Sequence, residues 1–169
     1  MTHCSFSPVH FSAAASPADG GIATAVKDLI EAQVSFGVNP RWLTIEQLDP
    51  LNPYRSLLAA APQLLHVHGL WLRPTRLASR LVTSELPLVI APHGMLDPYA
   101  LSISRRKKQL AWHLWERRAL QKARCLHALC LEEATAIRAL LPSIPIAVIP
   151  NGVAIPQSLD KSSMSAPWD

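Results

Sequence analysis

The feature that most limits how this chain can fold is an alternation, kept from one end to the other, of short apolar runs with stretches of helical periodicity. Parallel strands need crossovers of about a dozen residues or more, and a helix is the usual crossover, so this alternation reads as repeated strand, crossover and helix units. The fold class is therefore α/β, a Rossmann-like doubly wound unit whose sheet is mostly parallel, with about six strands.

Strands are expected at residues 3–7, 41–45, 64–68, 88–91, 125–129 and 146–149. The clearest helix spans 21–36, with Ile22, Val26, Leu29, Ile30 and Gln33 along one face and Gly37 placed to end it. A short helix is expected near Leu57, and another is opened by Pro74 and carries the apolar stripe Leu77, Leu81 and Val82. The run PHGMLDPYALSIS reads as a long irregular loop, 105–122 as a basic and aromatic helix, and 132–141 as a further helix. Residues 1–153 make one domain, and the serine- and proline-rich stretch 154–169 reads as a linker or tail.

A chain of 169 residues has room for one ordinary domain. It contains no apolar run of roughly eighteen residues, and its first residues lack a basic segment followed by an apolar one. Three cysteines, Cys4, Cys125 and Cys130, form neither a disulfide framework nor a metal knuckle. A cytoplasmic location is expected. The formal net charge of +4 favours an anionic partner.

In an open parallel sheet, ligands bind beyond the carboxyl ends of the strands. Residues that follow the expected strands are Asp19, Gly20 and Gly21; His68, Gly69 and Trp71; His93, Gly94 and Asp97; Glu132 and Glu133; and Asn151 and Gly152. Gly20 and Gly21 open a helix, where free amides suit phosphate or carboxylate, or they serve only a tight turn. They are not part of a G-x-G-x-x-G fingerprint, and no P-loop lysine follows. His93 can donate to a sugar hydroxyl or a phosphate oxygen, or it can bond a neighbouring carbonyl. His66 and His68 share one face of a strand, but no third ligand at suitable spacing accompanies them, so they read as a packed, hydrogen-bonded pair and no metal is expected. The basic helix, with Trp112 and Trp115 among its arginines and lysines, is either a solvated face or a surface for anionic lipid. No nucleic-acid reader motif is present.

The ordered set HGLW, PHGMLDP, EEA and PNGV, between Leu64 and Pro156, resembles the N-terminal domain of the retaining family 4 glycosyltransferases, many of which build bacterial surface polysaccharides. GGIATAVKDLIEAQ is similar to that family's first loop and helix. The resemblance implies a GT-B enzyme that needs no metal or other cofactor and transfers a hexosyl group, with retention, from a nucleotide-sugar donor to a glycan or lipid-linked acceptor. It also implies that His93 contacts the transferred sugar as the catalytic residue. Substrate binding would fall to Gly20, Gly21, Gly94, Asp97, Glu133, Asn151 and Gly152, the last two in the interdomain crossover. Cys130 stands where the family often has serine or threonine three residues before glutamate, which removes a capping oxygen worth roughly 1 kcal/mol. The first strand is shorter and more polar than the family's. The basic pair and two glutamates that grip the donor belong in such enzymes to a second domain, so the chain is expected to be an N-terminal half, inactive alone. The alternative is a non-catalytic module binding glycan, phosphate or the inner face of a membrane.

Overall fold

The computed structural model describes residues 6–16 and 20–152. Its strands are β1 (Pro8–Ser12), β2 (Arg41–Thr44), β3 (Leu64–His68), β4 (Leu88–Ala91), β5 (Cys125–Ala128) and β6 (Ile146–Val148). Helices α1 (Gly21–Ser35), α2 (Pro53–Ala59), α3 (Arg73–Leu81), α4 (Pro98–Ser102), α5 (Arg105–Ala111), α6 (Arg117–Gln121) and α7 (Leu131–Leu140) lie between them. The sheet order is β2-β1-β3-β4-β5-β6 and every pairing is parallel, the Rossmann-like arrangement expected from the alternation.

The strands have a period of two, and it sorts their side chains into two unlike faces. Val9, Phe11, Leu65, Val67, Leu88, Ile90, Leu126 and Ala128 occupy one face and belong to a single buried cluster with Leu57, Leu77, Leu120 and Ile137 from α2, α3, α6 and α7. The other face carries His10, His66, His68 and His127, all buried. Helix α1 covers that second face. The chain turns back from β1 to β2 and then advances the opposite way through β3 to β6, so right-handed crossovers put α1 on the side away from the later helices. Its buried residues Ala23 and Val26 accordingly stand outside the apolar cluster.

The first strand was expected at 3–7 and lies instead at Pro8–Ser12. Val9 and Phe11 supply the apolar alternation, and proline is tolerated as a first strand residue, where its missing N–H leaves no gap in the ladder. Residues 3–5 and 154–169 lie outside the described residues. The loop expected after β4 contains the short helix α4, started by Pro98 and capped by Asp97, whose Oδ1 accepts from the Tyr99 amide at 2.8 Å. The expected basic helix is interrupted by a π turn at Trp112–Glu116 between α5 and α6. Among the described residues no helix is long and apolar enough to cross a membrane.

The one-sided core predicts a sharp contrast between two phenylalanines. Phe11→Ala removes a ring that is 0% exposed and should lower the unfolding free energy by about 3–5 kcal/mol. Phe36→Ala, at a ring that is 86% exposed, should change it by less than about 0.5 kcal/mol. Urea unfolding of both variants checks this.

Candidate functional site

All six strands end on one edge, and the residues after them converge there. The topological switch lies between β1 and β3, where the strand order reverses, and crevices of this kind receive ligands in open α/β sheets. A cavity of about 310 Å³ opens at this point, lined by residues that include Ser12, Ala14, Ile22, His68, Gly69 and Met95. Gly20 and Gly21 stand beside it as the N-cap and first residue of α1. Both are exposed, nothing would meet a Cβ on either, and Gly20 adopts φ 111°, which disfavours a side chain. Among the described residues, no arginine or lysine lines this cavity.

His93 lies on the loop after β4 with φ 53°, followed by Gly94 at φ 74°. Left-handed backbone at a residue with a Cβ stores strain, so the surroundings must hold it. Glu133 does so: one carboxylate oxygen accepts from the Gly94 amide at 2.6 Å and the other from the Leu129 amide at 2.7 Å. Glu133 is therefore a buried clamp between the loop after β4 and the start of α7, with both oxygens committed to backbone donors. Cys130 caps α7 through sulfur, its Sγ accepting from the Glu133 amide at 3.5 Å, so the expected loss of the capping oxygen is partly replaced by a longer bond. Gly94 likewise spends its amide on Glu133, Asp97 caps α4 from an exposed position, and Asn151 and Gly152 are exposed beyond β6.

Behind His93 the histidine face forms a connected set. His10 Nε2 bonds Gln33 Oε1 at 2.8 Å, His10 Nδ1 bonds His68 Nε2 at 2.9 Å, and His68 Nδ1 bonds His93 Nε2 at 3.0 Å. A separate pair joins His66 Nε2 to His127 Nδ1 at 3.4 Å, and His127 Nε2 to the Ile149 carbonyl at 2.8 Å. The rings of His66 and His68 lie 4.2 Å apart. Burial lowers the affinity of His10, His66 and His68 for a proton, most strongly at the latter two, and it brings His93 to about 4 although Glu133 opposes the change. These four imidazoles are neutral near pH 7.

The third imidazole that the sequence reading did not find beside His66 and His68 comes from β1: ligand-type nitrogens of His10, His66 and His68 lie within 4.8 Å of one another. Two of the available nitrogens, His10 Nδ1 and His68 Nε2, already bond each other, while His66 bonds His127 instead, and no carboxylate joins the group.

One further residue that sequence reasoning missed sits near Trp71. Glu116, buried on the π turn, accepts at Oε2 from the Trp71 amide, Thr75 Oγ1 and Trp115 Nε1 at 3.1–3.2 Å, and burial raises its pKa despite those bonds. It fixes the HGLW loop, where Trp71 has φ 70°. A second cavity of about 380 Å³ lies in front of Trp71, lined also by Leu101, Arg105, Lys108, Trp112 and Leu140. The imidazole network was foreshadowed by equal parity: PVHFS, LLHVH and CLHA each alternate apolar residues with histidine. Nothing local marked Glu116, because its role depends on a π turn.

A family model described as a glycosyl transferase 4-like domain matches residues 40–152, more than half of the chain, beginning after β1 and α1. A comparison with curated proteins finds no match.

The buried imidazoles set the pH dependence of stability. An unfolded histidine takes up its proton near pH 6.5, whereas folded His10, His66, His68 and His93 resist it. Stability is therefore full above about pH 6.5 and is lost as the pH falls toward 4, at about 1.4 kcal/mol per pH unit for each proton involved. Glu116, with a raised pKa, acts in the opposite sense, but it carries one proton against four. Urea unfolding at pH 7.5, 6 and 5 should give a falling midpoint, with a slope between pH 6 and 5 that requires more than one proton. A flat profile would contradict the neutral network.

Proposed function

The chain belongs to the glycosyl transferase 4-like family, and from that premise we propose that it works as the acceptor-side half of a GT-B glycosyltransferase of polysaccharide biosynthesis. It moves a hexosyl group from a nucleotide-sugar to a glycan or lipid-linked acceptor, with retention at the anomeric carbon. The observation that carries this reading is the left-handed backbone of His93, held after β4 by Glu133 and His68 at the same carboxyl edge of the sheet where Gly20 and Gly21 open α1. Strain maintained by surrounding bonds is a common property of binding sites.

In this reading His93 contacts the transferred sugar, while Gly20 and Gly21 let substrate approach the α1 N-terminus. Gly94 and Glu133 keep the His93 loop in place. Asp97 shapes the acceptor side through α4, and Asn151 and Gly152 lead into the crossover to a donor domain. The leaving diphosphate gains charge in the transition state and needs preorganised positive groups. Among the described residues none lines the crevice, and in this reading the cationic grip comes from a second domain closing over it.

We further propose that α4 and α5 rest on the cytoplasmic face of an anionic membrane. Tyr99, Ile103, Leu110 and Leu114 are all more than half exposed, among exposed Arg105, Arg106 and Lys107. Apolar residues beside cations suit the headgroup boundary. The tryptophans are not part of this face: Trp112 packs against the core, and Trp115 lies under Arg76 and bonds Glu116.

Two experiments test these proposals. The purified chain should turn over no nucleotide-sugar alone and should gain transfer when mixed with a separately expressed donor-binding domain of a relative; His93→Ala should then cost about 10²-fold in kcat. Turnover by the isolated chain would refute the division of labour, and binding without turnover in either case would favour a non-catalytic module. Sedimentation with anionic vesicles should show salt-sensitive binding that is lost when Arg105, Arg106 and Lys107 become glutamate, since exposed charge is screened over about 10 Å near physiological salt. Equal binding by both proteins would reject the membrane face.

A further inference from the structure

The bonds from Gln33 to His93 form an unbranched series in which each neutral ring has one N–H and one lone pair, so the state of one end dictates the other. Gln33 Oε1 can only accept, and His10 Nε2 must therefore carry its proton. His10 Nδ1 is then a lone pair, which obliges His68 Nε2 to donate. His68 Nδ1 is in turn a lone pair, and His93 Nε2 must donate to it. His93 Nδ1 is left unprotonated, and it makes no hydrogen bond to any described residue.

We propose that Gln33, acting through His10 and His68, is a positioning residue that locks His93 in the Nε2–H tautomer, so that its outward nitrogen presents a lone pair and accepts from a hydroxyl. This deepens the proposed function, because it rests on His93 facing the sugar, and it restricts what His93 can read. A phosphate or carboxylate oxygen offers no proton and meets a lone pair unfavourably; a sugar hydroxyl offers one. The neutral state of the three rings preserves the lock, since a ring protonated on both nitrogens would break the series.

The lock has a structural logic. Gln33 lies on α1, on the face that covers the histidine side of the sheet, and His10, His68 and His93 belong to β1, β3 and the loop after β4. Four elements distant in sequence are thereby joined through ring nitrogens, and the amide at the helical end selects the chemistry at the open end.

The test is ¹⁵N NMR of the histidine rings in the full chain near pH 7.5, without ligand, which keeps it independent of any transferase activity. In the wild type, His93 should show a protonated Nε2 and a pyridine-type Nδ1, with His10 and His68 in the same tautomer. Gln33→Glu, still an acceptor at that position, should preserve this pattern. Gln33→Met, of similar size but without an acceptor, should release the series and convert His93 to a mixture of tautomers while amide dispersion stays native. Should that variant not fold, scalar couplings across the N–H···N bonds of the wild type decide the direction. A wild-type His93 protonated at Nδ1, couplings that place the protons the other way, or a tautomer unmoved in folded Gln33→Met would each overturn the proposal. Failure of transferase activity with the tautomer confirmed would instead count against the proposed function alone.

Discussion

A buried imidazole with no counter-ion is held in its neutral form, and neutral imidazoles in contact must give and take protons in a consistent order. That constraint organises one whole face of this sheet. His10 and His68, and likewise His66 and His127, cannot be replaced independently by other polar groups, because within each pair one ring satisfies a nitrogen of the other. The opposite face obeys only volume and apolarity, and its residues form one cluster under four helices. The two faces of a single sheet thus follow different rules: one is packed, the other is wired.

The wired face matters because it ends at the carboxyl edge, where His93 holds a left-handed backbone beside Gly94. Two carboxylates complete the support from different directions. Glu133 takes the Gly94 and Leu129 amides, and Glu116 takes the Trp71 amide with two side-chain donors. Each restrains a loop that leaves a strand with positive φ. Neither carboxylate forms an ion pair with a described residue, although Arg76 acts on Glu116 through its charge, so both depend chiefly on hydrogen bonds for their burial and are sensitive to loss of a single donor. Glu133, placed among substrate-binding residues by its motif, spends both carboxylate oxygens in geometry on holding the loop that carries His93.

Much of this was legible from the residues. Strand and helix periods specified the α/β class and five of the six strands nearly to their ends, since Leu64–His68 and Leu88–Ala91 are compact apolar runs with no competing pattern. The first strand was misplaced because Pro8 and the polar alternation of His10 and Ser12 disguised it. The basic helix was read as continuous because a π turn leaves no clear mark in the apolar spacing. The glycines and His93 were singled out by their positions after strands, whereas Gln33 was read only as part of an amphipathic stripe.

What the sequence determined by itself was the parity of each strand and the identity of the residues at its carboxyl end, because side-chain alternation and chain direction are local properties. Which histidines meet was decided only by the tertiary structure. His10, His68 and His93 are joined through the strand order β2-β1-β3-β4, and Gln33 reaches them because a right-handed crossover lays α1 over that face. A hydrogen bond between rings requires contact within about 3 Å, and no local pattern encodes contact between residues separated by 58 positions in the chain.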